Sequence, residues 1–417
     1  MSSSLSLWRS LCYLTAFGAG LQSAARPTNP TKAMEGNGFQ SRIGPSILEV
    51  GGGLRNVFPA DNFNRNVSTA WWDTDVLDDG NSNEEAKNTA KDLKLLGVGG
   101  YEAPKEIEKI FEFPPGPSFA KRLVHDGTVF SPECNCIFLA ELHPPMEGFS
   151  ADAMPWVWRV NLNNTPLTTE KVYPSPQMTV PNGVYYYKGS IYWAQEGNFT
   201  VPGGIVRMDP LTLSTEVVLN NFYGHRFNSP NDVVITRDKV AYFTDGYYGY
   251  DNFNDTLKPE LANGVWRWDM KTNDLRMVSG AGGGPFTNPN GVALSLEEDK
   301  LYVTNRGNTS DNPAGGRTIY EFQLSNSGGI PVTGGDVFAY VDSGFPDGVK
   351  VDRDGRVYGG VTGGVTVFDS AGKHLGIIRV ADGDVAVNMQ WVDDWLYIAG
   401  RDYIYRVQLN SSGVQGL

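Results

Sequence analysis

The chain is short of the residues that most often carry reactive or soft-metal chemistry. Its 417 residues hold three cysteines and four histidines. No zinc-type Cys/His spacing occurs, nor a Gly-x-Ser-x-Gly nucleophile elbow. No phosphate loop occurs either: GAGGGPF (Gly280–Phe286) precedes no evident helix and reads as a loop. Basic residues are scarce too, 34 Lys and Arg against 47 Asp and Glu, for a formal charge of -13. That balance argues against nucleic acid, which needs a basic patch to displace counterions. Only one apolar run stands out, Leu11–Leu21 (LCYLTAFGAGL), and it is too short to span a bilayer. With Arg9 before it and Ser23-Ala24-Ala25 after it, it has the layout of a secretory signal, with the mature chain beginning near Arg26. Six N-x-S/T sequons, at Asn66, Asn163, Asn198, Asn254, Asn308 and Asn410, agree with secretion and glycosylation. Cys12 leaves with the signal. Cys134 and Cys136, in PECNC, are either a tight loop disulfide or free thiols on a hairpin.

What the chain has in quantity is turns and short strands. It contains 49 Gly, and 40% of its residues are hydrophobic, enough for a sizeable core. Six times an Asn or Asp precedes a short apolar strand: Asp126, Asn182, Asn231, Asn290, Asp347 and Asn388, at intervals of 56, 49, 59, 57 and 41 residues. Periods of this length carried by strands point to a solenoid or propeller. A second strand follows each anchor (CIFLAEL, SIYWAQEG, VAYFTDG, KLYVTNRG, RVYGGV, WLYIAGRD), then a third. The first five units show a fourth (EKVYP, TEVVL, LRMVS, DVFAYV, GIIRV). Alternating apolar and polar residues between Gly, Asn and Asp turns predict antiparallel meanders. The expected fold class is therefore all-β, a six-bladed β-propeller of four-stranded blades.

The sixth unit lacks an outer strand, because only NSSGVQGL follows Leu409. An open edge there needs covering, and Lys109–Phe113 is expected to pair with Tyr403–Leu409 and close the ring. The expected domains are a signal at 1–25, an N-terminal extension at 26–108, and the propeller at 109–417. Within the extension, Ser82–Leu96 predicts a short helix from its early acids and later lysines.

In a closed ring the anchors meet at the mouth of one channel. All six are oxygen donors, a set that suits Ca²⁺ first and Mg²⁺ or Mn²⁺ next. Any single Asn-Gly or Asp-Gly is an ordinary turn signal. Here Pro precedes four anchors, and each anchor opens the same strand of its unit, a phase that a turn alone does not explain.

SPNDVVI with YFTDGYYGY, NPNGVALSLEEDKLYVTN and FPDGVKVDRDGRVY resemble the gluconolactonase/regucalcin (SMP-30-like) family, most closely its fungal secreted lactonohydrolases, over about Phe111 to Leu409. The resemblance implies a six-bladed propeller, an axial divalent cation and hydrolysis of sugar-type (aldono- or panto-) lactones to hydroxy acids. By position it implies metal ligands at Asp126, Asn290 and Asp347, with Asp347 also the catalytic proton-transfer group. Asn231 and Asp232 become substrate or supporting residues beside the metal, and Asn182 a pocket residue. His225 joins them as a substrate-binding candidate by its nearness in YGHRFNSPND, with Arg226 as an alternative. One departure stands out: the family's first ligand is usually Glu, and this chain has Asp126, one methylene shorter, which leaves the cation lower or bridged by water. The rival readings are a catalytically weak propeller that binds cation and ligand, and a strictosidine-synthase-like propeller. His125 is a further proton-transfer candidate, Tyr247, Tyr248 and Tyr250 are entrance or packing residues, and His143 and His374 lack supporting neighbours.

Overall fold

Twenty-four strands form six antiparallel sheets of four, arranged as the blades of a propeller in a computed structural model. The structure describes residues 73–74, 107–113, 124–141, 157–280, 286–306, 316–325, 329, 335–341, 344–380, 384–409 and 411–414. The signal segment, the Ser82–Leu96 helix, the centre of the Gly280–Phe286 loop, and the sequons at Asn66, Asn308 and Asn410 lie outside those residues. So do His143 and the side chain of His125.

The inner strands are Val124–Ser131, Pro181–Tyr187, Pro230–Ile235, Pro289–Leu294, Val349–Val351 and Ala386–Val392, numbered here as blades 1 to 6. Five begin one or two residues before their anchor, and Val349–Val351 begins two residues after Asp347. Proline is tolerated at a strand's first position and on an edge, where no ladder donor is required. Within the chain's first five units the fourth strand falls where the sequence predicts: Thr168–Val172, Thr215–Leu219, Asp274–Gly280, Asp336–Tyr340 and His374–Arg379.

Blade 6 takes its outer strand from upstream. Ile107–Glu112 pairs antiparallel with Tyr403–Gln408, Ile107 opposite Val407 and Glu112 opposite Tyr403, so the ring closes as expected. The two-residue strand Asp73–Thr74 lies parallel to the outer strand of blade 5. Cys134 and Cys136 form a disulfide in the hairpin between the first two strands of blade 1.

The core lies between blades. Six clusters of buried apolar side chains fill the six seams, one for each adjacent pair. The seam between blades 6 and 1 shows the logic. Phe113 beside the closing strand meets Ile137, Leu139 and Trp158 of blade 1 and Tyr397 and Ile404 of blade 6. Aromatic residues of the second strands supply much of the bulk, with Trp193, Tyr242, Phe243 and Tyr358 fully buried. The apolar stamp of those strands thus packs blade on blade, and the hub is left to polar residues.

Candidate functional site at the propeller axis

The ladder between inner and second strands breaks at the anchors. Its register jumps from Pro181 to Val184, from Pro230 to Val233 and from Pro289 to Val292. The skipped residues are Asn182-Gly183, Asn231-Asp232 and Asn290-Gly291. Bulges of this kind re-aim side chains out of the pleat. The result is three buried amides whose Oδ1 atoms have no hydrogen-bond partner among the described residues. Leaving one buried acceptor unmade costs about 1–3 kcal/mol. Three at equivalent positions of neighbouring blades call for a ligand.

Two carboxyl groups join them. Asp126 is buried, and its Oδ1 accepts hydrogen bonds from Asn388 Nδ2 at 2.6 Å and from the Gly127 amide at 2.8 Å. Burial holds its pKa well above the usual carboxylate range, and the nearby Asp347 and Asp232 raise it further. Asp347 is half-buried at residue level, while its carboxyl is enclosed. Burial raises it as well, and Arg306, Arg401 and the Asn290 amide pull it back down. Two acids close enough for the Asp347 charge to oppose ionisation of Asp126 gain from a shared cation.

The ring packing fixes where these groups stand. A Cβ on Gly348 would lie 2.4 Å from Asn388 Cγ, and one on Gly127 would lie 2.2 Å from the Asn182 carbonyl. The glycine after an anchor therefore admits the next blade's anchor, which explains the Asn-Gly and Asp-Gly signature better than a hairpin turn does. Threonines of the second strands do complementary work: Thr304 Oγ1 donates to the Asp347 carbonyl at 2.7 Å, and Thr244 Oγ1 donates to the Asn290 carbonyl.

Three further sequence-predicted residues are placed by their contacts. Asn388 is not an oxygen donor to the axis, because its Oδ1 accepts from the Met389 amide at 2.8 Å and its NH₂ is turned to Asp126. Both oxygens of Asp232 are engaged by backbone, from Val233 at 2.8 Å and Val292 at 3.1 Å, so it braces blade 3 against blade 4. His225 is not brought to the axial group. It sits on a short exposed hairpin with Nδ1 3.4 Å from Glu260, and Arg226 donates to the carbonyls of Asn198 and Phe199.

Three residues gain importance. Tyr248 is buried, its hydroxyl accepting from Asn290 Nδ2 at 3.1 Å and donating to the Asn288 carbonyl at 3.2 Å. This hydrogen bond decides which end of the Asn290 amide is left for the axis. Arg306 and Arg401, just at the ends of the second strands of blades 4 and 6, set positive charge near Asp347. Their signal was present in KLYVTNRG and WLYIAGRD, in the same phase of two units.

The donors fit a hard divalent cation: amide oxygens of Asn182, Asn231 and Asn290 with carboxylates of Asp126 and Asp347, and no sulfur or imidazole. Among the described residues no group of three or more His, Cys, Asp or Glu side chains forms a metal cluster, so the fit depends on the amides.

Apolar seams around an oxygen-lined hub define a six-bladed propeller with a candidate site at its axis. The chain belongs to the SMP-30/Gluconolactonase/LRE-like family, whose model matches residues 159–398, more than half of its length. It is 26% identical over 313 residues to the Aspergillus oryzae lactonohydrolase oryL, covering 69% of this chain and 68% of that protein. It is 32% identical over 235 residues to a Zymomonas mobilis gluconolactonase, covering 54% and 62% respectively. Among solved structures, a Xanthomonas campestris gluconolactonase superposes with a TM-score of 0.58 at 22% identity, covering 76% of this chain and 92% of that one, a likeness of fold.

Proposed function

We propose that this protein is a divalent-cation-dependent hydrolase that opens sugar-type (aldono- or panto-) lactones to hydroxy acids. The observation that carries the reading is the three orphaned amide oxygens of Asn182, Asn231 and Asn290 grouped with Asp126 and Asp347. Relatives named lactonohydrolase and gluconolactonase support the reaction class. Asp126, Asn290 and Asp347 are the proposed ligands of Ca²⁺, with Mg²⁺ or Mn²⁺ as substitutes. When bound, such a cation polarises a carbonyl and acidifies water.

Asp347 is the proposed proton acceptor. Its raised affinity for a proton suits the role, and the Arg306 and Arg401 charges favour its ionised form. As water oxygen bonds to the lactone carbonyl carbon, one water proton passes to Asp347. When the ring C–O bond breaks, that proton goes to the leaving oxygen, and the product is a hydroxy acid. Asn182 and Asn231 are the proposed contacts for the substrate's polar edge, their free amide oxygens accepting from its hydroxyl groups. The two arginines also offset the carboxylate that the product carries.

We further propose that the protein is secreted and glycosylated. The signal-like Leu11–Leu21 segment supports this, as do exposed sequons at Asn163 and Asn254. The activity test is a pH-stat assay on gluconolactone and pantolactone with chelator and then Ca²⁺. Acid release that stops with chelator and returns with Ca²⁺ is expected. Cation binding without acid release would replace the enzyme by a binding propeller.

A further inference from the structure

A second set of oxygen atoms lies away from the axis, where blade 2 meets blade 3. Glu196 follows the second strand of blade 2, and Asn228 precedes the inner strand of blade 3. Asp255 and Thr256 follow the π-helical turn Tyr248–Phe253. That turn is folded back on the seam: the Gly249 amide donates to Ser229 Oγ at 2.8 Å, and the Asp255 amide donates to the Gly249 carbonyl at 2.9 Å. A Cβ on Gly249 would lie 2.7 Å from Thr256 Oγ1 and 2.8 Å from Ser229 Oγ, so both hydroxyls crowd that glycine.

Glu196 is 1% exposed, yet neither carboxylate oxygen has a hydrogen-bond partner among the described residues. The Ser229 hydroxyl lies close to it but outside hydrogen-bond geometry. No described ion pair joins Glu196 to a cationic side chain: of the two that line the same cleft, Arg226 donates to backbone carbonyls and Lys258 is exposed and makes no described ion pair. Asn228 Oδ1, Asp255 Oδ1 and Thr256 Oγ1 are likewise buried and without partners. Asn228 commits its amide hydrogens to Asp245, Nδ2 at 3.1 Å, so its oxygen is the free end. Glu196, Asn228 and Thr256 line a cavity of about 10 Å³, room for one water or small ion.

A buried carboxylate is retained when it is paired or coordinates a metal. A second carboxylate beside it makes the demand for positive charge stronger, since the Asp255 charge raises the cost of ionising Glu196. We propose that Glu196, Asp255, Asn228 and Thr256 form a second cation site for a hard ion, Ca²⁺ by its all-oxygen donors, separate from the axial set. Its ion pins the Tyr248–Phe253 turn to blade 2. Because Tyr248 orients Asn290, the site steadies the axial group from outside.

Equilibrium dialysis of the full chain against Ca²⁺ tests this. Wild type should bind two ions. Glu196→Gln and Asp255→Asn should each lose one, and Asp347→Asn should lose the other. If wild type binds a single ion that Asp347→Asn abolishes while Glu196→Gln and Asp255→Asn keep it, the second site does not exist. A single ion lost in Glu196→Gln and kept in Asp347→Asn would uphold this site and sink the axial one. Anomalous scattering from wild-type crystals soaked in Mn²⁺ needs no variant: a peak among the four side chains is expected, and its absence overturns the site.

Discussion

At the scale of single residues, the anchors were legible because their phase within the unit never varied, and that phase is a property of sequence. Which atom of each anchor faces the axis was not legible. Asn388 and Asn290 are the same residue type, yet Asn388 shows its NH₂ to Asp126 and Asn290 gives its NH₂ to Tyr248. Only partners on other blades decide this. Tyr248→Phe removes the hydroxyl that fixes the Asn290 amide, a hydrogen bond of roughly 1 kcal/mol, so Ca²⁺ affinity read by titration calorimetry should fall about 3- to 10-fold with little change in Tm. Asp347→Asn should lower kcat by about 10²-fold or more, while Tm in chelator holds or rises because a buried like charge is gone. Wild-type turnover in that variant would remove Asp347 from its role. Asp245 gives a pH signature: burial raises its pKa from 3.8 to about 7, against the pull of hydrogen bonds from Asn228 and Ser229. A folded pKa above the unfolded one means that its contribution to stability is complete below about pH 4 and is lost as pH rises through about 7. The drop in Tm between pH 5 and pH 8 should be smaller in Asp245→Asn than in wild type.

At the scale of elements, strand order and closure followed from alternation and from one missing strand, so nearly every ladder was readable. The bulges were not, since a register jump leaves no mark in hydrophobicity. They explain why Asn182, Asn231 and Asn290 leave the pleat at equivalent points. The closing strand carries a prediction of its own. Ile107 is 1% exposed and packs in the seam of blades 5 and 6, so Ile107→Ala should cost about 2–5 kcal/mol in denaturant unfolding. Truncation through Glu112 also uncovers Tyr403–Gln408, and a Tm left unchanged by it would show that the ring does not depend on this strand. Gly348→Ala, whose added carbon meets Asn388, should loosen the hold on Asp126 and weaken cation binding more than it weakens the fold.

At the scale of the whole molecule, the division of labour between seams and hub decides what a cation does to stability. Six apolar seams hold the blades together, and each needs both neighbours in place. The hub contributes the opposite sign: unmade acceptors and acids raised by burial oppose closure in the absence of a counter-charge. A ligand that binds only the closed ring stabilises it by mass action, about 2.7 kcal/mol at a hundred times its Kd. Chelator should therefore lower Tm and Ca²⁺ restore it, with the unfolding transition remaining single, because the seams link all six blades. The gain at saturating Ca²⁺ should shrink in Asp347→Asn and in Glu196→Gln separately, and shrink most in the double variant, as two independent sites add. A Tm indifferent to chelator and Ca²⁺ alike would mean that the orphaned oxygens are met by water, and the cation would then have no place in either site.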